Sequence, residues 1–170
     1  KDGAFKFVVG ARTIPSKDPS VAAFGSTSMV TGSHANKVIC DDVETRKNSE
    51  TVEARDKLFN FMTVELESVL NPGGDLIVLG TPHNRESVYN RLDFNKTIVV
   101  RKWPVEYPDP NVDSSIKDLS PMLLDDLMSG RKAVGDPTHP ERFDELTIAD
   151  KKAKMGPTGY ALQMMLDTSL

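Results

Sequence analysis

"VICDDVETRKNSE" (Val38–Glu50) opens with three apolar residues, sets two carboxylates side by side at Asp41 and Asp42, adds a third at Glu44 and then turns polar. An apolar run that ends in acids has two physical readings. A strand can surface into solvent through a polar turn, where Asp is a favoured residue. Alternatively the acids meet a cation, because hard divalent metals take carboxylate oxygens and keep several waters.

The stretch from Thr51 to Trp103 selects the fold class. From Thr51 to Leu70 the apolar residues Leu58, Phe59, Met62, Leu66, Val69 and Leu70 recur on one face of a helix, and "NPGG" (Asn71–Gly74) stops it. "DLIVLGTPH" (Asp75–His83) is a continuous apolar run suited to a strand buried on both faces, and "NKTIVVRKW" (Asn95–Trp103) reads as another strand. Strand, helix, strand in this order predicts a crossover in a parallel sheet, hence an α/β fold. Ligands of open parallel sheets bind beyond the carboxyl ends of the strands. One strand brings Asp41 and Asp42 to that edge; the next brings Gly80, Thr81, Pro82 and His83. A Gly-Thr-Pro turn alone is an ordinary strand terminator. The two strand ends together are the more specific signal.

Upstream, "AFKFVVGA" (Ala4–Ala11) reads as a strand, "TIPSKDPS" as a loop and "VAAFG" (Val21–Gly25) as a short apolar run. "STSMVTGSHANK" is then a Gly/Ser/Thr-rich loop leading into a strand over Lys37–Asp41. Beyond Trp103, "WPVEYPDPNVDSS" is Pro-rich and acidic, which indicates a loop. Helices are expected at Leu119–Ser129, Asp144–Lys154 and Thr158–Asp167, separated by "GRKAVGDPTHPERF" and "MGP".

The chain has 170 residues, of which 38% are hydrophobic, enough for one core. With 21 Lys and Arg against 25 Asp and Glu, the net charge of −4 carries no overall basic signature, so any nucleic-acid contact must be local. The single cysteine, Cys40, lies in an apolar run, where a small buried thiol is the ordinary occupant and a reducing, cytoplasmic setting is favoured. No apolar run approaches the ~20 residues of a membrane span. "KDGAFKFVVG" has neither an initiator Met nor a signal-peptide layout, which points to a piece of a longer chain.

"TGSHANKVICDDVE", a helix, "LIVLGTPHNRESVYNRL", "WPVEYP", "GDPTHPERF" and "GYALQMMLDTSL", in this order, resemble the large terminase subunit of tailed bacteriophages, of the DNA maturase B type found in short-tailed lytic phages. The resemblance covers nearly the whole chain. It implies an ATP-driven motor that moves double-stranded DNA into a procapsid and cuts the concatemer, acting in the host cytoplasm. Its expected partners are the portal protein, the small terminase subunit and further copies of itself in a ring. It also implies a P-loop NTPase core of the RecA-like (ASCE) type joined to a ribonuclease-H-like nuclease. By resemblance, Asp41 matches the Walker B aspartate that holds Mg²⁺. Asp42 stands where relatives have the water-polarising glutamate, with Glu44 a competing candidate. Gly80, Thr81, Pro82 and His83 match the coupling motif that senses the γ-phosphate of ATP. Two positions depart from the family: His83 stands in place of Gln and His34 in place of Arg. No GxxxxGK[ST] occurs, so the phosphate-cradling loop is missing. The family's order places that loop upstream and the nuclease downstream. Residues 1–103 are then expected to be the later half of an incomplete ATPase core, and 104–170 a loop and helical segment leading toward the nuclease. An isolated piece of this kind is expected to be inactive alone.

Other residues have plainer readings. His139 sits in a Pro-fixed loop that packs Phe143, and three separated histidines give no zinc spacing. "RKW" (Arg101–Trp103) suits phosphate contact and stacking on DNA, or equally a strand end capped by Trp. Lys151, Lys152 and Lys154 suit a solvated helix C-terminus, and Met164 and Met165 suit a core. Two rival functions remain open at this level: a non-catalytic module docking on the portal or small subunit, and a two-metal nuclease cluster of Asp41, Asp42 and Glu44.

Overall fold

Parallel pairing of two strands organises the N-terminal part of the chain, as the strand–helix–strand order predicts. In the computed structural model, which describes residues 5–25, 30, 32–92, 97–112 and 116–169, β3 (Ala35–Asp41) lies parallel to β4 (Leu70–Leu79). The register sets Val38 opposite Leu76, Cys40 opposite Val78 and Asp41 opposite Leu79. Ahead of them, β1 (Phe5–Phe7) and β2 (Val21–Ala23) form a separate antiparallel pair. The strand expected over Ala4–Ala11 is shorter than its apolar run: beyond Phe7, Val9 N–H donates to Ser20 Oγ and Val9 C=O closes a turn with Arg12 N–H. Ala4, and residues 26–29 and 31 of the Gly/Ser/Thr-rich loop, lie outside the described residues.

The connection between β3 and β4 is helical. α1 (Arg46–Ser49) is followed by α2 (Val52–Asn60), a π-helical turn over Phe61–Glu65, and α3 (Leu66–Val69). Thr51 caps α2 by accepting from Ala54 N–H, which places the helix start where the sequence does. Of the predicted apolar face, Leu58, Met62, Leu66 and Val69 are buried. Leu66 and Val69 pack with Val30 and Cys40, and Val38, Leu76 and Val78 close around them. Burial pushes the Cys40 thiol above its ordinary pKa.

Two expectations change here. "NPGG" is not only a helix stop: the backbone is already extended at Leu70, and Asn71–Gly74 lie within β4 as an irregularity between the Ala35–Leu70 and Lys37–Asp75 pairs. Gly73 takes φ +79°, and a Cβ on Gly74 would sit 3.0 Å from the main-chain oxygens of Asn36 and Asn71. Asn71 Nδ2 donates to Asn36 Oδ1 across the pair at 2.8 Å. Nor is β4 buried on both faces. Side chains alternate across a strand, so Ile39, Ile77 and Leu79 project opposite to Cys40 and Val78 and are exposed, Ile39 at 59% against 4% for Cys40.

The chain forms two compact units, Lys1–Gly80 and a second, Thr81–Leu170. That unit contains α4 (Val88–Leu92), α5 (Pro121–Met128) and α6 (Glu145–Gln163), the last broken at Gly156. α5 and the two halves of α6 answer to the three expected helices; α4 has no counterpart among them. The strand expected over Asn95–Trp103 is absent among its described residues, 97–103. Only a bridge from Lys102 to Leu119 forms, and Val99 is 72% exposed. β-branched residues favour a strand through packing against cross-strand neighbours, and here the main-chain partners are the few residues of one turn. Trp103 is exposed and so caps no strand.

"WPVEYP" is a loop, as expected, but Pro104–Pro108 are all buried. Several of their main-chain groups are paired, as buried backbone requires: Val105 N–H donates to Met164 C=O, Tyr107 N–H to Asp136 C=O, and Thr138 Oγ1–H to Pro104 C=O. Val105 packs with Ile148, Tyr160, Phe143, Met164 and Met165, which bears out the expected roles of Phe143 and the two methionines. Tyr107 packs with Leu119 and Leu123. Among the described residues no helix is long and apolar enough to cross a membrane.

If the Gly74 approach fixes the β3–β4 register, Gly74→Ala should lower the unfolding free energy by about 1–3 kcal/mol, the range for forced overpacking. Gly10→Ala, with open space around its Cβ, should change it by less than about 0.5 kcal/mol. Denaturant titration compares the two. A second test uses Tyr107, whose hydroxyl donates to Asp126 Oδ2 at 2.8 Å. Burial, then this hydrogen bond and the Asp126 charge, push its pKa up to about 12. The raised value favours the neutral phenol in the fold, so its contribution is full below about pH 10, the unfolded value, and is lost as pH rises toward 12. Stability against pH should be flatter in that window for Tyr107→Phe.

Candidate functional site

Asp41 ends β3 opposite Leu79, and the Asp42 N–H donates to the Leu79 carbonyl at 3.1 Å, adding a rung beyond the strand proper. Both strands of the first unit's parallel pair therefore end together, with Gly80 next to the acids' main chain. Asp42 then takes φ 46°. Asp is among the few non-glycine residues that tolerate this left-handed region, because its short side chain can bond locally. The second acid thus has a conformational reason to be there, one that its place in the sequence does not reveal.

The turn beyond is fixed by polar contacts. Asn48 Nδ2 donates to the Val43 carbonyl at 2.8 Å, Thr45 N–H donates to Asn48 Oδ1 at 2.6 Å, and Asn48 N–H donates back to Thr45 Oγ1 at 3.3 Å. This is a reciprocal cap in which Asn takes the place usually held by Glu or Gln. Ser49, 1% exposed, donates its hydroxyl to the Thr45 carbonyl. Sequence reasoning misses Thr45, Asn48 and Ser49. The Thr-x-x-Asn spacing in "TRKN" is the signal that could have found them.

The three acids differ in environment. Asp41 and Asp42 are exposed, and their carboxylates make no hydrogen bond or ion pair among the described residues. Glu44 is 2% exposed. Among the described residues no three His, Cys, Asp or Glu side chains gather to hold a metal between them, so the three acids do not form the multi-carboxylate cluster that a two-metal nuclease uses. Magnesium bound with a nucleotide needs less, since one or two carboxylates suffice when water and phosphate oxygens complete its shell. An exposed, unengaged Asp41 with Asp42 beside it fits that requirement.

The rest of the proposed coupling stretch opens the second unit. Thr81 is half-buried, His83 is exposed, and buried Pro82 offers its carbonyl to Gln163 Nε2 at 2.7 Å. His34 is exposed. The three lysines of "DKKAK" are not simply a solvated group: Lys152 pairs with buried Glu106 at 2.7 Å, Lys154 with Asp150 at 2.7 Å, and Lys151 stands over the Phe143 ring.

No family model matches the chain. A terminase large subunit of Enterobacteria phage T3 is 34% identical to it over 175 aligned positions, covering all of this chain and 30% of the relative. The chain thus spans under a third of the length of the curated relative it matches. Over its whole length, then, the chain is similar to a segment of that terminase large subunit rather than to the whole of it.

Proposed function

We propose that the chain is the Walker B and coupling part of the ATPase in a terminase large subunit, the motor that moves double-stranded viral DNA into a procapsid. The observation that carries this reading is the parallel β3–β4 register, which ends the acid-tipped strand and the strand leading to Gly80 together at one edge. That edge is where open α/β sheets receive ligands. Similarity along the whole chain to a terminase large subunit supports it.

In this reading Asp41 holds the magnesium of Mg²⁺-ATP. The ion, when bound, neutralises charge on the triphosphate. Asp42 accepts a hydrogen bond from the attacking water and orients it. Its exposure favours it over Glu44, whose 2% exposure leaves little room for water. Gly80, Thr81, Pro82 and His83 are the coupling stretch that senses the γ-phosphate. The P-loop, the nuclease, and contacts with DNA, portal, small subunit and sister copies in a ring belong to the complete protein in the host cytoplasm.

In a full-length protein carrying this segment, Asp41→Ala should reduce Mg²⁺-ATP hydrolysis to background. Asp42→Asn should retain nucleotide binding while lowering kcat by about 10²–10⁴-fold, the contribution typical of a positioned acid–base group. A silent Asp42→Asn beside an inactive Glu44→Gln would transfer the water-orienting role to Glu44.

The 170-residue chain by itself should neither bind Mg²⁺-ATP tightly nor release phosphate. Triphosphate affinity comes largely from the backbone N–H groups and lysine of a P-loop, and the sequence has no such motif. Calorimetric titration with Mg²⁺-ATP and a phosphate-release assay test this together. Tight binding with turnover would overturn the assignment.

A further inference from the structure

Glu106 is a buried carboxylate in the second unit, 8% exposed, that the strand-end chemistry does not involve. Its Oε1 accepts from Lys152 Nζ at 2.7 Å and its Oε2 from the Tyr160 hydroxyl at 2.5 Å. Burial, together with the bond to Glu106 and its charge, holds the Tyr160 phenol in its protonated form, a donor to the carboxylate.

Lys152 and Tyr160 stand on opposite sides of a break. Gly156 takes φ 68° and ψ 170°, outside the helical region, and Pro157 follows. Nothing lies within 4 Å of a Cβ built on Gly156, so glycine is required by backbone conformation rather than by space. Pro157 has no N–H, which suits the first position of a new helix and forbids continuation of the old one. In an unbroken helix, positions eight apart are separated by about 12 Å along the axis. Here both side chains end on the two oxygens of one carboxylate.

We propose that Gly156–Pro157 is a hinge and that Glu106 is its latch, fixing the angle between residues 145–155 and 157–163. The first half is anchored independently. Asp144 caps it by accepting from Thr147 N–H at 2.8 Å, and buried Ile148 packs with Val105. In the second half Tyr160 is the buried anchor nearest the break. Other ties, among them Gln163 Nε2 to the Pro82 carbonyl, Val105 N–H to the Met164 carbonyl, the packing of Met164 and Met165 and the Asn90 Nδ2–Thr168 Oγ1 bond, lie at or beyond its far end. Loss of the carboxylate frees the second half to swing about Gly156 while the first half stays in place.

Hydrogen–deuterium exchange on the chain, compared with Glu106→Gln and Tyr160→Phe, reads the two halves separately. Both variants should speed exchange across 160–167 by about tenfold or more, the effect of losing a charge-assisted hydrogen bond. Amides 149–154 should stay within about twofold of the parent. Tyr160→Phe keeps the ring and removes one hydroxyl, so it carries the test if Glu106→Gln fails to fold. Equal acceleration in both halves would make the Glu106 group an ordinary structural ion pair, and no change in 160–167 would remove the latch; either result overturns the proposal.

Discussion

The constraint on which the first unit depends is the parallel ladder between β3 and β4. Five consecutive pairs, from Lys37–Asp75 to Asp41–Leu79, tie residues nearly forty positions apart. The irregularity at Asn71–Gly74 sets their register. A slip of one residue would carry Cys40 and Val78 from the helix-covered face to the exposed one. It would also separate Asp42 from the Leu79 carbonyl, and with it the coincidence of the two strand ends. The chemistry proposed for Asp41 and Asp42 thus rests on two glycines and an Asn–Asn bond at the other end of the sheet.

The second unit is held differently. Its apolar clusters are small, and its Pro-rich segment 104–108 runs through the interior with main-chain groups bonded to Asp136, Thr138 and Met164. Polar clamps reinforce this path. Glu106 receives Lys152 and Tyr160, while Asp126 receives Tyr107 and Arg131. Around buried Glu106, removing one partner costs more than the set contributes net, because the remaining group keeps its desolvation penalty, whereas the Asp126–Arg131 pair is partly exposed. Such clamps fix geometry more than they add stability.

At the strand edge two neighbouring carboxylates share one sign of charge. Asp41 and Asp42 repel each other and face solvent, whereas Glu44, two residues on, is enclosed. An exposed acid pair is the arrangement that a bound Mg²⁺-nucleotide would relieve. Asp42's left-handed backbone also makes it the residue that turns the chain out of the strand.

Much of this is legible in the sequence because it is governed by local periodicity. The apolar spacing of Leu58, Met62, Leu66 and Val69 marks the helix, the run ending at Asp41 marks the strand, and "MGP" marks the break in α6. Similarity to terminase large subunits is likewise readable from the order of motifs. The exposed Ile39 face, the Thr97–Trp103 segment outside any strand and the buried loop at Pro104–Pro108 are not legible. A run of valines and isoleucines looks the same whether or not a partner strand lies beside it, and a Pro-rich stretch looks solvated until distant carbonyls take its N–H groups. The sequence by itself determined which residues could form each element and where the acids stand along the chain. Only the tertiary structure decided which acid faces water, which strands pair, and that Glu106 joins the two halves of one helix, because each depends on contacts between residues far apart in the chain.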